Sequence, residues 1–213
     1  SCRHANIRRV PRELSEARPR LNFLAHCLLG YPETALIAGG FIGDFVKGPV
    51  PSSLPRELAR GVRLHRHLDS TSNRMPEMRK SYVHFGPDLR RPAPVLLDLI
   101  ADHVLALQWR RYGIGELTEF TTTCYKAIGR YPLPKDAKLF YDRMKATDLL
   151  AGYAKSEVIE RAMFYILKRL GYDRFEQQLH EILNIKFDDF CHDFHEYFPL
   201  LGEVAQTFIA EEH

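Results

Sequence analysis

The sequence has few cysteines, and their spacing excludes two kinds of site. Its four cysteines are scattered along the 213 residues, and no two of them form a Cys-x-x-Cys pair. Neither a zinc knuckle nor a disulfide scaffold is therefore indicated. We interpret all four as reduced thiols, which is the state expected in a cytoplasmic protein.

Long hydrophobic runs are also missing. The apolar run over residues 21–30 is interrupted by Asn22 and His26 and is followed by Pro32 and Glu33. It lacks the uninterrupted core of a secretory signal and is too short to span a bilayer. We therefore expect no membrane partner.

Several catalytic and nucleotide-binding motifs do not occur either. The sequence contains no Gly-x-x-x-x-Gly-Lys-Ser/Thr, Gly-x-Gly-x-x-Gly, Gly-x-Ser-x-Gly or His-Glu-x-x-His pattern. These absences argue against a P-loop enzyme, a dinucleotide-binding domain, an α/β-hydrolase and a metalloprotease of the His-Glu-x-x-His type. We also expect no nucleic-acid partner.

The periodicity of the remaining sequence is helical. It is clearest over 95–112, where apolar residues recur at helical spacing, and it continues through 117–128, 149–170, 172–183 and 184–198. No strand-like alternation stands out. We predict an all-α fold, a compact bundle of about seven to eight helices. Residues 21–213 are predicted to form one catalytic domain, preceded by a flexible basic extension over 1–20.

Ionisable residues within apolar segments indicate a shared polar site. His26 and Asp44 each lie in such a segment, while His65 and Asp69 are four residues apart and therefore share one helix face. A fourth segment, 98–103, is predicted to close the site. Carboxylates and imidazoles without thiolates suit Mn²⁺, Mg²⁺, Fe or Zn²⁺. An ion pair on a helix surface has the same spacing and is the alternative.

Charge is unevenly distributed along the chain. Residues 60–91 contain eight basic and three acidic residues, a balance of +5, whereas 173–213 contain two basic and ten acidic residues, a balance of −8. The basic segment is either a solvated surface or a docking face for an acidic partner. The residues predicted for docking are Arg60, Arg63, Arg74 and Arg79.

These stretches resemble the acyl carrier protein phosphodiesterases. The resemblance rests on Asn-Phe-Leu-Ala-His at 22–26, Gly-Asp-Phe-Val-Lys-Gly at 43–48 and Gly-Val-Arg-Leu-His-Arg-His-Leu-Asp at 61–69. Trp109 and Phe-His-Glu-Tyr-Phe-Pro at 194–199 extend it along nearly the whole chain. It implies a variant of the all-α histidine–aspartate phosphohydrolase fold. It also implies a divalent metal, usually Mn²⁺ with Mg²⁺ or Fe as alternatives, and hydrolysis of the phosphodiester that joins 4′-phosphopantetheine to a serine of holo-acyl carrier protein.

The resemblance also suggests roles for individual residues. Asp44 corresponds to an essential aspartate of the family, and Asp44, His65 and Arg66 are predicted to be catalytic. The role of Arg66 is inferred from its own chemistry: beside His65, its guanidinium can contact a phosphate bidentately. Asp98 and His103 are predicted to contact the metal ligands without binding the metal themselves. The predicted ligands are His26, Asp44, His65, Asp69 and Asp102.

The chain departs from the family pattern at two places. Gly39 and Gly40 stand where the family usually has Gly-Asn, which affects the expected substrate geometry. Leu21 stands where family members typically have their first Met. Residues 1–20 are therefore expected to be upstream read-through from a Leu-encoding start codon.

Two other functions are compatible with these patterns. One is a metal phosphohydrolase of the same fold that acts on a nucleotide or another small phosphoester. The other is a non-catalytic helical binding module, which would bind no metal.

Overall fold

The computed structural model describes residues 22–212, and no strand occurs in that range. The α-helices are α1 (Phe23–Gly30), α2 (Thr34–Ile42), α3 (Arg56–Ser72), α4 (Pro76–Ser81), α5 (Ala93–Leu107), α6 (Trp109–Tyr112), α7 (Leu117–Ile128), α8 (Lys135–Ala146), α9 (Leu149–Gly152), α10 (Ser156–Leu170) and α11 (Glu176–Glu211). The all-α prediction is confirmed. The described residues contain more than the seven or eight helices expected, because α4, α6 and α9 are short pieces of four to six residues. The extension predicted over 1–20 lies outside the described residues.

No helix within residues 22–212 is both long and apolar enough to cross a membrane. Helix α1 has no exposed residue, and Phe23, Leu24 and Cys27 are 0% exposed. Helix α2 is buried from Ala35 to Ile42. His26 and the end of α2, which immediately precedes the Asp44 turn, therefore lie in the core.

Helix α11 corrects the predicted boundary between 183 and 184. The two helices expected there are one helix of 36 residues. No glycine or proline lies at that boundary to end a helix. Pro199 cannot donate a backbone hydrogen bond, but the helix continues past it because Phe198, Leu201 and Ala205 are buried on both sides. Conversely, the helix predicted over 149–170 is interrupted between α9 and α10, where buried Tyr153 occupies the turn.

Two glycines allow α2 and α3 to touch through their backbones. A Cβ atom added at Gly39 would lie 2.3 Å from the carbonyl carbon of Gly61, and one added at Gly61 would lie 2.5 Å from the carbonyl oxygen of Ala35. Neither position has room for a side chain. This crossing of α2 and α3 at Gly39 and Gly61 therefore sets the distance between the two helices. Because α3 carries His65 and Asp69, it also sets how close these residues come to the end of α2.

We expect Gly61→Ala to destabilise the fold, because its methyl group would push against the α2 backbone rather than a flexible side chain. Overpacking of this kind costs about 1–3 kcal/mol. Denaturant unfolding followed by circular dichroism measures the loss. Gly202→Ala in α11 is the matched control: no atom lies within 4 Å of its added Cβ, and alanine in a helix interior is favoured by about 0.5–1 kcal/mol. If both variants were stabilised, the crossing would have room that the structure does not show.

Candidate metal centre

Asp69 lies between two imidazoles. Its Oδ2 atom is 3.5 Å from Nε2 of His65, which is one turn earlier on α3, and its Oδ1 atom is 3.3 Å from Nε2 of His26 on α1. The two rings lie side by side with centroids 4.2 Å apart and planes 33° apart. One ligand atom from each of His26, His65 and Asp69 lies within 4.8 Å of the other two. That arrangement could hold a metal ion.

Asp44 reaches the same place from the 3₁₀ turn Gly43–Phe45, which follows α2. Its Oδ1 atom is 3.6 Å from Nε2 of His65. A Cβ atom added at Gly43 would lie 2.4 Å from Cγ and Cδ2 of that ring, so only glycine lets the turn lie against His65. Three separate chain segments thus bring His26, Asp44, His65 and Asp69 together, and we call these four residues the His–Asp cluster.

The cluster is nearly sealed from water. The side chains of His26, His65 and Asp44 are 3–4% exposed, and that of Asp69 is 17% exposed. Burial, reinforced by neighbouring His65, lowers the pKa of His26, although Asp69 opposes the shift. Burial also raises the pKa of Asp44, although His65 opposes that shift. The imidazole of His26 is therefore favoured in its neutral form, which has a lone pair for a metal.

Several buried polar atoms at the cluster have no hydrogen-bond partner. Among the described residues, Nδ1 of His26 and Oδ2 of Asp44 are in this state, and Nε2 of His26 has only its 3.3 Å contact with Asp69. Buried polar atoms in proteins are normally hydrogen-bonded, because leaving one unpaired costs about 1–3 kcal/mol. A divalent cation would satisfy these atoms, and imidazole with carboxylate is a donor set that such cations accept. The cluster therefore fits the predicted metal.

Arg66 follows His65 on α3 and binds the chain just after Asp44. Its Nη2 atom donates to the carbonyl oxygen of Val46 at 2.7 Å. This bond joins α3 to the segment just beyond the Asp44 turn.

Asp102 does not join the cluster. Its two carboxylate oxygens accept hydrogen bonds from the backbone N–H groups of Leu24 and Ala25, at 2.9 and 2.8 Å. The side chain of Asn22, at the start of α1, makes no capping hydrogen bond, so Asp102 supplies the cap from α5 instead. Burial raises the pKa of Asp102, while the two backbone donors oppose that shift. This placement does not support the predicted role as a metal ligand.

The other two residues predicted on α5 lie apart from each other. Asp98 lines a small cavity with His26 and Asp69, at the edge of the cluster. Nδ1 of His103 instead lies 2.5 Å from the carbonyl oxygen of Tyr153, and its side chain lines a groove between α10 and α11. Burial lowers the pKa of His103. The structure thus brings only Asp98 close to the cluster.

The four arginines predicted for docking divide into two pairs. Arg60 is mostly buried and donates to Glu33 at 2.7 Å and to the carbonyl oxygen of Ile209 at 2.8 Å. Arg63 pairs with Glu212 at 2.8 Å. Arg74 and Arg79 are exposed. The first pair therefore holds the end of α11, and the second pair faces solvent.

Sequence reasoning missed two residues near the cluster. Asn22 and Tyr197 line the cavity that His26, Asp69 and Asp98 share. Tyr197 lies in the Phe-His-Glu-Tyr-Phe-Pro stretch at 194–199, where most of its neighbours are aromatic residues of the kind that pack in a core. Its hydroxyl group, which the neighbouring phenylalanines lack, was the available signal.

A model of the acyl carrier protein phosphodiesterase family matches residues 21–201. The chain belongs to this family. A protein named acyl carrier protein phosphodiesterase from Escherichia coli O45:K1 is 35% identical over 106 residues, which cover 49% of this chain and 54% of that protein. A protein of the same name from Pectobacterium atrosepticum is 37% identical over 89 residues, 42% of this chain and 46% of that protein. The chain thus spans about half the length of the curated relatives it matches.

No solved structure matches the chain. The relation of this family member to the histidine–aspartate phosphohydrolase fold therefore stays a prediction.

We expect Asp102→Asn to destabilise the protein by about 1–3 kcal/mol, because an amide nitrogen cannot accept the bond that one oxygen now accepts. Its affinity for Mn²⁺, measured by calorimetry on the folded variant, should equal that of the parent. Asp142→Asn, at an exposed position of α8, is the control for removing one negative charge. Weakened Mn²⁺ binding at unchanged stability would instead make Asp102 a ligand.

Proposed function

We propose that this chain is a metal-dependent phosphodiesterase that removes 4′-phosphopantetheine from the serine of holo-acyl carrier protein. The observation that carries the proposal is the buried His–Asp cluster, which has a metal-binding donor set and is built from the stretches that resemble the family. The names of the relatives support the choice of substrate. Water would form the new P–O bond, the bond from phosphorus to the serine oxygen would break, and that oxygen would leave with a proton. The products are apo-acyl carrier protein and 4′-phosphopantetheine.

The proposed metal would be held by His26, His65, Asp69 and Asp44. Mn²⁺ is the ion that the family resemblance favours, with Mg²⁺ or Fe as alternatives. When bound, such an ion neutralises phosphate oxygens and lowers the pKa of water.

The protein's own groups would position the substrate. Asp44 has one carboxylate oxygen without a hydrogen bond, which can accept a proton from water or bind the ion. Arg66 is anchored through Nη2 to Val46, and its other N–H groups can donate to phosphate oxygens. A guanidinium fixed in this way loses little freedom when it binds the phosphate.

The shape of the site suggests that the substrate meets it from outside. Pockets for small molecules usually enclose about 300–1,000 Å³. The cavity that His26 and Asp69 line has a volume of about 20 Å³, which encloses neither a nucleotide nor a phosphopantetheine group. A phosphodiester presented by a carrier protein would therefore reach the cluster at the more exposed Asp69 side.

We expect Asp44→Asn to abolish hydrolysis and to leave the protein folded, because it removes a buried charge without changing side-chain shape. Incubating the parent with holo-acyl carrier protein and Mn²⁺ should reduce the carrier's intact mass by the phosphopantetheine group. Asp142→Asn serves as the exposed control and should retain activity. A thermal melt separates loss of chemistry from loss of fold, and an Asp44→Asn variant that unfolds would make Asp44 structural.

We further propose that Arg74 and Arg79 contribute to docking of the acidic carrier protein. Both are exposed, and Arg74 lies just past the end of α3, five residues beyond Asp69. Exposed charges of this kind steer an oppositely charged partner mainly through the association rate.

Reversing both residues to Glu should raise KM for holo-acyl carrier protein and leave Mn²⁺ affinity unchanged. Added salt should weaken the parent in the same direction, because charges in water are screened over about 8 Å at physiological ionic strength. The paired reversal of Arg110 and Arg161, which are exposed and outside residues 60–91, is the charge-matched control. Equal KM values for all three proteins would remove Arg74 and Arg79 from the docking surface.

A further inference from the structure

The groove between α10 and α11 is a second cavity, distinct from the His–Asp cluster. Its volume is about 360 Å³, and pockets for small molecules usually enclose about 300–1,000 Å³. Helix α5 contributes Ile100 and His103 to this groove. The same helix carries Asp98, which lines the small cavity at the cluster. The two sites therefore lie on different faces of α5.

His103 presents a buried acceptor to the groove. The residue is 7% exposed, and its Nδ1 atom donates to the carbonyl oxygen of Tyr153, because a carbonyl can only accept. Burial lowers the pKa of His103, so the neutral ring is favoured and Nε2 carries a lone pair rather than a proton. Within residues 22–212 no group donates to Nε2. Buried polar atoms are normally hydrogen-bonded, so this nitrogen indicates a donor from outside those residues.

Two carboxylates give the groove a negative charge. Glu160 of α10 and Asp188 of α11 line it, and no described lysine or arginine does. Oε2 of Glu160 lies 3.1 Å from Nδ1 of His180, and the Glu160 side chain is 28% exposed. The charge of Glu160 also acts on His103, where it opposes the lowering of the pKa by burial. A phosphate ester or another anion would therefore be repelled from the groove, and a cation would be attracted.

Apolar side chains form another part of the lining. Ile100 and Ile159 are 1–2% exposed, and the ring of Phe187 packs against that of His103 with centroids 5.3 Å apart. A metal ion does not suit the groove, because among the described residues only members of the His–Asp cluster bring three ligand atoms within 4.8 Å of one another. An organic cation with a hydrocarbon body matches both the charge and the apolar lining.

We propose that this groove binds a small amphipathic ammonium ion. Nε2 of His103 accepts a hydrogen bond from the ammonium group, and the carboxylates of Glu160 and Asp188 supply the opposite charge. The hydrocarbon part lies against Ile159 and Phe187. Binding in the groove requires neither the metal nor the phosphodiesterase activity, so it can be measured on metal-free protein.

The test is a titration of the protein, labelled with ¹⁵N at histidine, with hexylammonium chloride. Hexanoate and 1-hexanol are matched probes that carry the same chain with a negative charge or with none. We expect hexylammonium to shift the Nε2 resonance of His103 saturably, because that nitrogen gains a hydrogen-bond donor. The two matched probes should bind at least about tenfold more weakly, since charge-assisted hydrogen bonds are stronger than neutral ones.

Glu160→Gln keeps the shape of the side chain, removes its charge and should raise the Kd for hexylammonium about tenfold. Asp188→Asn, at an exposed position, should raise the Kd in the same direction. Glu157→Gln is the control and should retain the parental Kd, because Glu157 is exposed on the same helix as Glu160 but does not line the groove.

Three results would overturn the proposal. A His103 resonance that hexylammonium leaves unchanged would show that only water meets Nε2. Equal affinities for hexylammonium and 1-hexanol would show an apolar groove without selectivity for charge. Parental Kd values in both Glu160→Gln and Asp188→Asn would mean that the ammonium group binds elsewhere.

Discussion

The contact between the backbones of α2 and α3 is the constraint on which the site depends. At Gly39 and Gly61 the helices lie too close for any side chain between them. This approach brings the turn after α2 against the ring of His65, where Gly43 again leaves no room for a Cβ atom. The carboxylate of Asp44 consequently comes within 3.6 Å of His65. Glycines that weaken each helix locally are thus required for the cluster to form.

Two buried carboxylates show how hydrogen bonding separates a structural role from a functional one. Both Asp102 and Asp44 are excluded from water, and burial raises the pKa of each. Asp102 has backbone donors for both of its oxygens and completes the start of α1. Among the described residues, Oδ2 of Asp44 has no hydrogen-bond partner, and Oδ1 lies 3.6 Å from Nε2 of His65. A buried charge that the protein leaves partly unsatisfied is the one available to an ion or a substrate.

Sequence reasoning could predict the all-α fold and the residues of the His–Asp cluster. It found His26 and Asp44 because ionisable side chains in apolar segments need partners, and it paired His65 with Asp69 by their helical spacing. It could not place Asp102. Asp98 and Asp102 are four residues apart on α5 and share a helix face, so only tertiary contacts show which of the two carboxylates binds α1. It did not single out Tyr197 for a similar reason: this residue lines a cavity with Asn22 and His26, which are far away in sequence.

Net charge along the sequence was a poor guide to unpaired charge at the surface, because tertiary contacts decide which charged side chains are paired. Arg60 and Arg63 contribute to the basic segment, but the chain folds so that they bind the end of α11, 149 residues later, within the acidic region. The ion pair of Arg63 with Glu212 therefore offsets part of the sequence asymmetry, although it lies at the surface. The basic charge left at the surface includes Arg74 and Arg79, beyond the end of the helix that carries His65 and Asp69. Under the proposed function, an acidic partner attracted to those arginines would approach near the more exposed Asp69 side of the cluster, which is where its phosphodiester would have to arrive.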